Sequence, residues 1–230
     1  MELKVLDKGF VRLENFSGGD ESVIRSARVS YGQGSKGEEA DRKLIAYMLQ
    51  NKHGSPFEHS LFTFHIKCPI FVVRQWHRHR VGHSYNEISG RYSKMKEEYY
   101  VPEKWRAQDK KNKQGSVETK ELDHARLSDF FRLRCDAAFS NYHTLLDNGV
   151  AREMARMVLP VNWYTEFYHT CNARSLMHFI ELRSEQHAQW EIRQYSDAMF
   201  KIFIEKMPET AEAFLHTLSP EKYVGLELPG

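Results

Sequence analysis

Two segments of this sequence alternate apolar with polar side chains, and they constrain the fold more than any other feature. Residues 61–68 place apolar side chains at every second position, and residues 161–171 repeat the pattern with Trp163, Phe167 and Cys171. Successive side chains of a strand point to opposite faces of a sheet, so each segment predicts a strand with one buried face. That face must pack against a second layer, which the rest of the chain has to supply.

Helical periodicity supplies the second layer. Apolar residues recur at the spacing of an amphipathic helix in several segments. We predict helices over residues 20–28, 38–49, 70–79, 117–148 and 184–206, and one that begins at Asn172. Asp20 and Asn172 are of the residue types that cap helix N-termini. Residues 3–16 predict one or two further strands.

These elements predict an α+β domain with an antiparallel or mixed sheet flanked by long helices. We expect a single domain over residues 1–220 and a C-terminal tail at 221–230. Residues 95–121 are rich in lysine and poor in apolar anchors, so they predict an exposed excursion from that domain.

The composition argues against membrane and nucleic-acid partners. The chain has 230 residues, of which 41% are hydrophobic and 28% charged, as in ordinary soluble globular proteins. Its net charge is only +2, and no apolar run is long enough to cross a bilayer. Three cysteines without CxxC spacing indicate a reducing compartment, so we expect a cytoplasmic protein.

Basic charge is concentrated in residues 74–92, which combine four arginines and three histidines with one glutamate. Arginine binds phosphate or carboxylate through two parallel hydrogen bonds. The Ser89-Gly90 pair allows a backbone to approach a bound group closely. The segment therefore predicts a site for a phosphorylated, planar ligand.

Several familiar kinds of site are excluded. Neither GxGxxG nor GxxxxGK[ST] is present, so a flavin or nicotinamide would not be held by a Rossmann crossover. Cys68 closes a predicted strand and Cys135 lies within a predicted helix, positions that do not suit a nucleophile. The arginines between His77, His79 and His83 would repel a dication, so we expect no metal.

The basic segment also resembles the hallmark motif of the flavin-dependent thymidylate synthases. The triplet RHR at 78–80 and the run SYNEISGRY at 84–92 carry the resemblance. The family motif is RHR, seven residues and then serine, whereas here eight residues separate Arg80 from Ser89, with the extra residue near 82–83. Further matching blocks follow in the family's order at residues 53–58, 75–76, 153–160, 172–177 and 182–194.

This resemblance implies an activity, its cofactor and an assembly. The family converts dUMP to dTMP by reductive methylation. The carbon comes from 5,10-methylenetetrahydrofolate and the hydride from NADPH, and FAD carries that hydride. The resemblance also implies a homotetramer whose active sites are shared between subunits. The family needs no cysteine nucleophile, in agreement with the positions of the cysteines here.

The resemblance also implies roles for individual residues. Residues for dUMP are Gln75, Arg78, Glu87, Ile88, Ser89, Gly90, Arg91, Arg156 and Arg183. Residues for FAD are Ser55, Arg78, His79, Arg80, Glu87, Asn172, Arg174, His178 and His187, with His53 near the flavin and folate. Arg183 is the expected catalytic residue, because a fixed cation stabilises negative charge developing on the uracil ring. We expect Ser89 to position the nucleotide, since the sequence places no base beside it.

Two other functions are compatible with parts of the sequence. A nucleic-acid-binding module would use residues 74–91 as a basic patch, with an affinity that falls steeply with salt. A FAD-dependent oxidoreductase acting on another nucleotide would share only the flavin site. Yellow purified protein would argue against the first function, and NADPH oxidation coupled to dTMP formation would argue against the second.

Overall fold

The computed structural model describes residues 1–32, 34–223 and 225–228. Within those ranges the elements are β1 (Glu2–Val5), β2 (Gly9–Ser17), α1 (Asp20–Arg28), α2 (Glu38–Gln50), β3 (Leu61–Pro69), α3 (Ile70–Trp76), β4 (His83–Glu87), β5 (Arg106–Gln108), β6 (Ser116–Glu118), α4 (His124–Asp147), α5 (Arg152–Ala155), β7 (Tyr164–Asn172), α6 (Ala173–Arg183), α7 (Trp190–Lys206) and α8 (Pro208–Leu215). Short 3₁₀ turns include Ser55–His59 and Arg156–Val158. None of the described helices is both long and apolar enough to span a bilayer.

Five strands form one antiparallel sheet in the order β1-β2-β3-β7-β4. The two alternating segments are neighbours at its centre, since β3 pairs with β7 from Leu61 opposite Asn172 to Pro69 opposite Tyr164. The predicted α+β class with an antiparallel sheet is therefore confirmed. The predicted helices α1 and α2 are also present where helical periodicity indicates them.

Aromatic side chains join the sheet to its helical layer. Phe62 of β3 meets Phe203 of α7 with ring centroids 5.9 Å apart. Trp76 of α3 is fully buried and lies 5.4 Å from Phe167 of β7 and 4.8 Å from Phe179 of α6. Burying one such side chain contributes about 1.5–3 kcal/mol, so this layer fixes three helices against one face of the sheet.

The helix predicted over residues 70–79 is shorter in the structure, where α3 ends at Trp76. The hydroxyl of Tyr85 donates to the carbonyl of His79 at 2.9 Å, which holds the turn that follows α3. The chain then enters β4, a strand that sequence alternation did not indicate. The triplet RHR at 78–80 therefore lies on a turn and not on a helix, which corrects the prediction.

Two other helices begin later than predicted. The helix expected over 117–148 begins at His124, because Asp123 caps it by accepting from the N–H of Arg126 at 3.0 Å. Before that cap, Val117 and Glu118 belong to β6, and the residues between β6 and the cap form no helix or strand. The helix expected over 184–206 begins at the first residue of α7, six residues further on.

Residues 95–121 are mostly exposed, yet the main body of the protein anchors them. Met95 and Tyr100 are buried, and the amide of Asn162 donates to the Tyr100 carbonyl at 2.7 Å. Strands β5 and β6 form a hairpin, and Arg106 in β5 pairs with Glu191 in α7 at 2.6 Å. The hairpin is therefore attached to the start of α7.

The tail predicted at 221–230 is only partly described. Leu226 is buried and belongs to the main core. Val224, Pro229 and Gly230 lie outside the described residues. The extent of the domain and its tail stays a prediction.

Candidate active site

The expected site residues divide into groups at the two ends of β4. Gln75, His79, His178 and Arg183, the Arg183 cluster, lie near the start of β4. Residues 87–91 with Arg156, the Ser89 cluster, lie at its other end. At about 3.3 Å per residue, the five residues of β4 span roughly 15 Å.

Arg183 is the last residue of α6, and its guanidinium is held by two protein acceptors. Its Nε donates to Nε2 of His79 at 2.9 Å, and Nη2 donates to the backbone carbonyl of Gln75 at 3.2 Å. Partial burial lowers the pKa of Arg183, although an arginine stays charged in proteins. Its plane is thus fixed, and its remaining N–H groups are available to a ligand.

His79 must be neutral to accept this hydrogen bond. His79 is 6% exposed, and burial together with the Arg183 charge lowers the pKa of His79 to about 3. Because Nε2 accepts from Arg183, the proton of the neutral ring lies on Nδ1. His178 approaches the same ring, with centroids 6.1 Å apart.

A second pair of histidines packs behind His79. Nδ1 of His83 lies 2.8 Å from Nε2 of fully buried His169, and the two rings stack. Burial lowers the pKa of His83 to about 4 and that of His169 well below its usual value. With Cys171 they form the one group in the described ranges whose candidate metal-ligand atoms lie together, within 4.8 Å. The facing ring nitrogens are engaged with each other, and the absence of a metal stays a prediction.

The Ser89 cluster begins where the chain leaves β4. The Ser89 hydroxyl accepts from the N–H of Arg91 at 3.3 Å, and the Ser89 carbonyl accepts from Tyr92 at 3.1 Å. Among the described residues, no histidine or carboxylate bonds to this hydroxyl. Ile88 is exposed, and its N–H donates to the Glu166 carbonyl of β7. Ser89 thus shapes a turn, and no residue in the described ranges is bonded to its hydroxyl as a base.

Arginines border this turn on one side. Arg156 packs on buried Gly90, where an added Cβ would lie 3.0 Å from the Arg156 Cδ. Arg91 pairs with Glu153 at 3.2 Å, and both side chains are largely exposed. The Glu87 carboxylate accepts from the Thr165 hydroxyl at 2.7 Å. The turn therefore places exposed cations around a buried glycine.

Three of the arginines have unengaged guanidinium groups. Arg78, Arg80 and Arg156 are exposed and form no ion pair with the described residues. Exposed cations without a carboxylate partner suit an anionic ligand, because binding does not require an internal ion pair to break. Two of them lie on the turn after α3 and the third lies in the Ser89 cluster.

A groove of about 450 Å³ opens beside the Arg183 cluster, lined by His53, Gly54, Arg174 and His178. Arg174 crosses Gly54, where an added Cβ would lie 2.6 Å from the arginine Nε. Ser55 follows directly in the 3₁₀ turn. A side chain at position 54 would therefore require the Arg174 side chain to move.

The N-terminus of α6 opens next to this groove. The Asn172 side chain caps the helix and accepts from the N–H of Ser175 at 2.8 Å, as the sequence predicted. A helix N-terminus carries partial positive charge. The Arg174 guanidinium lies at the same end of α6, where it pairs with the Glu58 carboxylate at 2.5 Å. The groove and its surroundings thus fit an anionic, dinucleotide-like cofactor such as FAD.

One expected residue contacts the hairpin segment, and one contact of the site was missed. Nδ1 of the exposed His187 lies 3.5 Å from the side-chain amide of Asn112 in that segment. The missed contact joins Gln75 to Gln189, because Nε2 of Gln75 donates to Oε1 of Gln189. The NH₂ group of Gln189 in turn donates to Glu191. The matching block at 182–194 included Gln189 and Glu191, but only the fold reveals that they reach Gln75.

Comparison with known proteins agrees with this geometry. A family model described as thymidylate synthase complementing protein matches residues 12–209. A flavin-dependent thymidylate synthase of Thermosipho melanesiensis is 51% identical over 216 residues, which is 94% of each chain. One of Thermus thermophilus is 51% identical over 214 residues, covering 93% of this chain and 78% of that protein.

The fold agrees as well. The crystal structure of a UMP/dUMP methylase, PolB from Streptomyces cacaoi bound with 5-Br dUMP, matches with a TM-score of 0.85 and 36% identity. The match covers 93% of this chain and 97% of that one. From the family match, the near-full-length relatives and the common fold, this chain belongs to the flavin-dependent thymidylate synthases.

Proposed function

We propose that this protein methylates dUMP to dTMP, with FAD as its cofactor and 5,10-methylenetetrahydrofolate and NADPH as co-substrates. The observation that carries the proposal is the fixed guanidinium of Arg183, held by neutral His79 and the Gln75 carbonyl. It occurs beside a groove suited to an anionic cofactor, in a chain of this family.

Arg183 provides the electrostatic part of the reaction. A cation held at the edge of the uracil ring stabilises the negative charge that develops at N3 and O4 as C6 becomes electrophilic. Because the guanidinium is oriented before substrate binds, little reorganisation is needed when that charge forms. A neutral His79 supports this arrangement, since it accepts a hydrogen bond and adds no competing positive charge.

The remaining residues bind and orient the two nucleotides. Arg78, Arg91 and Arg156 suit the phosphate and ribose of dUMP, and residues 87–90 shape the turn against which it lies. FAD would be held by Ser55, Arg78, His79, Arg80, Glu87, Asn172, Arg174, His178 and His187. His53 would lie near the flavin and folate. When bound and reduced by NADPH, FAD would supply the two electrons that methylation requires.

Ser89 serves to position the nucleotide, because the hydroxyl accepts from the Arg91 N–H and has no base among the described residues. We expect Ser89→Ala to retain measurable turnover with a raised KM for dUMP. Steady-state kinetics with dUMP as the varied substrate test this role. Complete loss of turnover with unchanged dUMP binding would instead indicate a nucleophile.

The active site is proposed to form between subunits of a homotetramer. The Arg183 and Ser89 clusters lie at opposite ends of β4, so a nucleotide that contacts both must either reach along this strand or bridge two subunits, and we favour the second arrangement. Large apolar side chains beside the Ser89 cluster are exposed, with Tyr92 at 76% and Met157 at 72%. Such side chains favour a covering subunit.

Mixed oligomers test the shared site. Arg183→Ala and Arg156→Ala alter different clusters, and each alone should abolish most turnover. If each site takes one cluster from each of two subunits, co-assembly of the two variants should restore about a quarter of wild-type activity. If one subunit supplies both clusters, no mixture recovers activity. Oligomers containing either variant alone are the matched controls.

The activity itself is tested with pure protein. We expect a yellow protein that forms dTMP from dUMP only when 5,10-methylenetetrahydrofolate and NADPH are both present. PolB is a UMP/dUMP methylase that has been seen bound with both 5-Br dUMP and 5-Br UMP, so UMP is the second substrate to assay. Failure to bind FAD, or NADPH oxidation without any methylated nucleotide, would contradict the proposal.

A further inference from the structure

A chain of polar contacts leads from the β5–β6 hairpin to the Arg183 cluster. Arg106 Nη2 contacts Glu191 Oε1 at 2.6 Å, and Gln189 Nε2 donates to Glu191 Oε2 at 2.9 Å. Gln75 Nε2 then donates to Gln189 Oε1, while the backbone carbonyl of Gln75 accepts from Arg183. The contacts join an outlying hairpin to the residue proposed to be catalytic.

The chemistry of the end member gives this chain a direction. An amide can present either its oxygen or its NH₂, but a carboxylate paired with a guanidinium only accepts hydrogen bonds. Gln189 must therefore direct its NH₂ group toward Glu191, which leaves the Gln189 oxygen directed toward Gln75. Gln75 must then turn its own NH₂ toward Gln189, which leaves its Oε1 as the acceptor for another group.

The two oxygens of Glu191 have separate partners. Oε1 receives Arg106 and the Tyr100 hydroxyl, at 2.6 and 3.3 Å, and these contacts anchor the hairpin. Oε2 accepts a hydrogen bond from Gln189, and the anchoring of the hairpin does not depend on this bond. Glu191 is 3% exposed, whereas Gln189 is exposed and would otherwise exchange its partners with water. The buried carboxylate thus supplies the orientation that the exposed amide lacks.

We propose that Glu191 is a positioning residue for nucleotide binding. Acting through Gln189, it fixes the Gln75 amide so that Oε1 accepts a hydrogen bond from a hydroxyl or ring N–H of the pyrimidine nucleotide. This inference rests on the proposed contact between Gln75 and dUMP. Glu191 itself does not touch the substrate, so its effect is on KM for dUMP and much less on kcat.

Gln189→Ala is the most direct test, because it removes the connection and leaves the Arg106–Glu191 ion pair in place. The Gln189 side chain makes no capping hydrogen bond at the start of α7, so the fold should tolerate the change. Loss of one oriented hydrogen bond should raise KM for dUMP about three- to tenfold. FAD content, KM for folate and the thermal midpoint should stay at wild-type values.

Companion variants make the result specific. Glu191→Gln, which can donate as well as accept, should raise KM for dUMP by a similar factor, and the double variant should add little beyond either single one. Gln186→Ala removes an exposed glutamine three residues away whose side chain bonds to no described residue, and it should behave as wild type.

Gln75→Ala separates failure of the inference from failure of its premise. If Gln75→Ala raises KM for dUMP and Gln189→Ala does not, the orienting role of Glu191 is overturned and the Gln75 contact stands. If Gln75→Ala leaves KM for dUMP unchanged, both the contact and the inference are overturned. An increase in KM only for Glu191→Gln, accompanied by a lower thermal midpoint, would assign Glu191 to hairpin anchoring alone.

Discussion

At the scale of single residues, the site depends on which hydrogen-bonding groups are fixed before a ligand arrives. Arg183 uses Nε for His79 and Nη2 for the Gln75 carbonyl, two directions that only a planar guanidinium provides together. A lysine would keep the charge but could not hold the same plane. Replacing Arg183 with lysine therefore separates the effect of the positive charge from the effect of the fixed orientation of the guanidinium.

Arg183→Lys should lower kcat about a hundredfold, because misplacing one donor to a developing anion typically has an effect of that size. FAD content should change little, since the flavin groove is lined by other residues. Stopped assays of dTMP formation, together with the flavin absorbance of the pure protein, check both parts. Equal and modest losses of turnover and of FAD would contradict the assigned role.

Gly82 marks the residue-scale requirement of the lengthened loop. It adopts φ +73°, and an added Cβ would lie 2.2 Å from the Ser175 Oγ, which donates to the Val81 carbonyl at 3.0 Å. Gly82→Ala should therefore displace the loop, lower the thermal midpoint and reduce FAD retention. Gly149, with φ +81° and open space around it, is the matched control.

Gly149→Ala carries only the backbone strain, about 1–2 kcal/mol for an alanine in the left-handed region. Flavin absorbance after gel filtration and thermal unfolding distinguish the two variants. Equal effects of the two substitutions would show that the contact with Ser175 does not constrain the loop.

At the scale of elements, a helix cap can come from a residue far away in sequence. The sequence suggested that Asp20 caps the helix at 20–28, but Gly19 is the N-cap of α1. The Asp20 carboxylate accepts instead from the N–H groups of Glu209 and Thr210, at 3.0 and 3.1 Å, and so caps α8. Burial raises the pKa of Asp20 despite these hydrogen bonds.

Asp20→Ala should destabilise the protein by about 1–2 kcal/mol, the usual effect of removing a capping side chain. Urea unfolding followed by circular dichroism measures the change. Glu21→Ala is the control, because its side chain is exposed at the same end of α1. A midpoint for Asp20→Ala equal to that of the control would contradict the capping role.

These elements show which parts of the fold the sequence could predict. Alternation identified β3 and β7 because each has one apolar face, and Asn172 caps α6 as its residue type indicates. β4 was missed because its role depends on pairing with β7, which local patterns do not encode. The residues of the motif could therefore be assigned to one site from their resemblance, but not divided between the two ends of a strand.

At the scale of the whole molecule, buried histidines link stability to pH. The folded protein lowers the pKa of His79 to about 3 and that of His83 to about 4, and it lowers the pKa of His169 well below its usual value, chiefly through burial. In the unfolded chain these side chains titrate near 6.5. Between those values the unfolded state binds more protons than the folded state, so stability increases with pH in that window.

The thermal midpoint should therefore fall progressively as the pH is lowered from 7.5 to 5, before most carboxylates titrate. Differential scanning calorimetry at constant ionic strength measures the slope. His83→Asn, which removes one of these groups, should give a shallower dependence even if its midpoint at neutral pH is lower. An unchanged midpoint between pH 7.5 and 5.5 would contradict neutral, buried histidines.

The position of the two clusters at opposite ends of β4 affects how the activity depends on the assembly of subunits. If complementary clusters meet only across a subunit boundary, a well-folded lone subunit contains no complete catalytic centre. Turnover per subunit should then drop on dilution while every helix and strand remains intact. One defective copy would also impair the healthy copies beside it, so a single lesion would act dominantly within a mixed population.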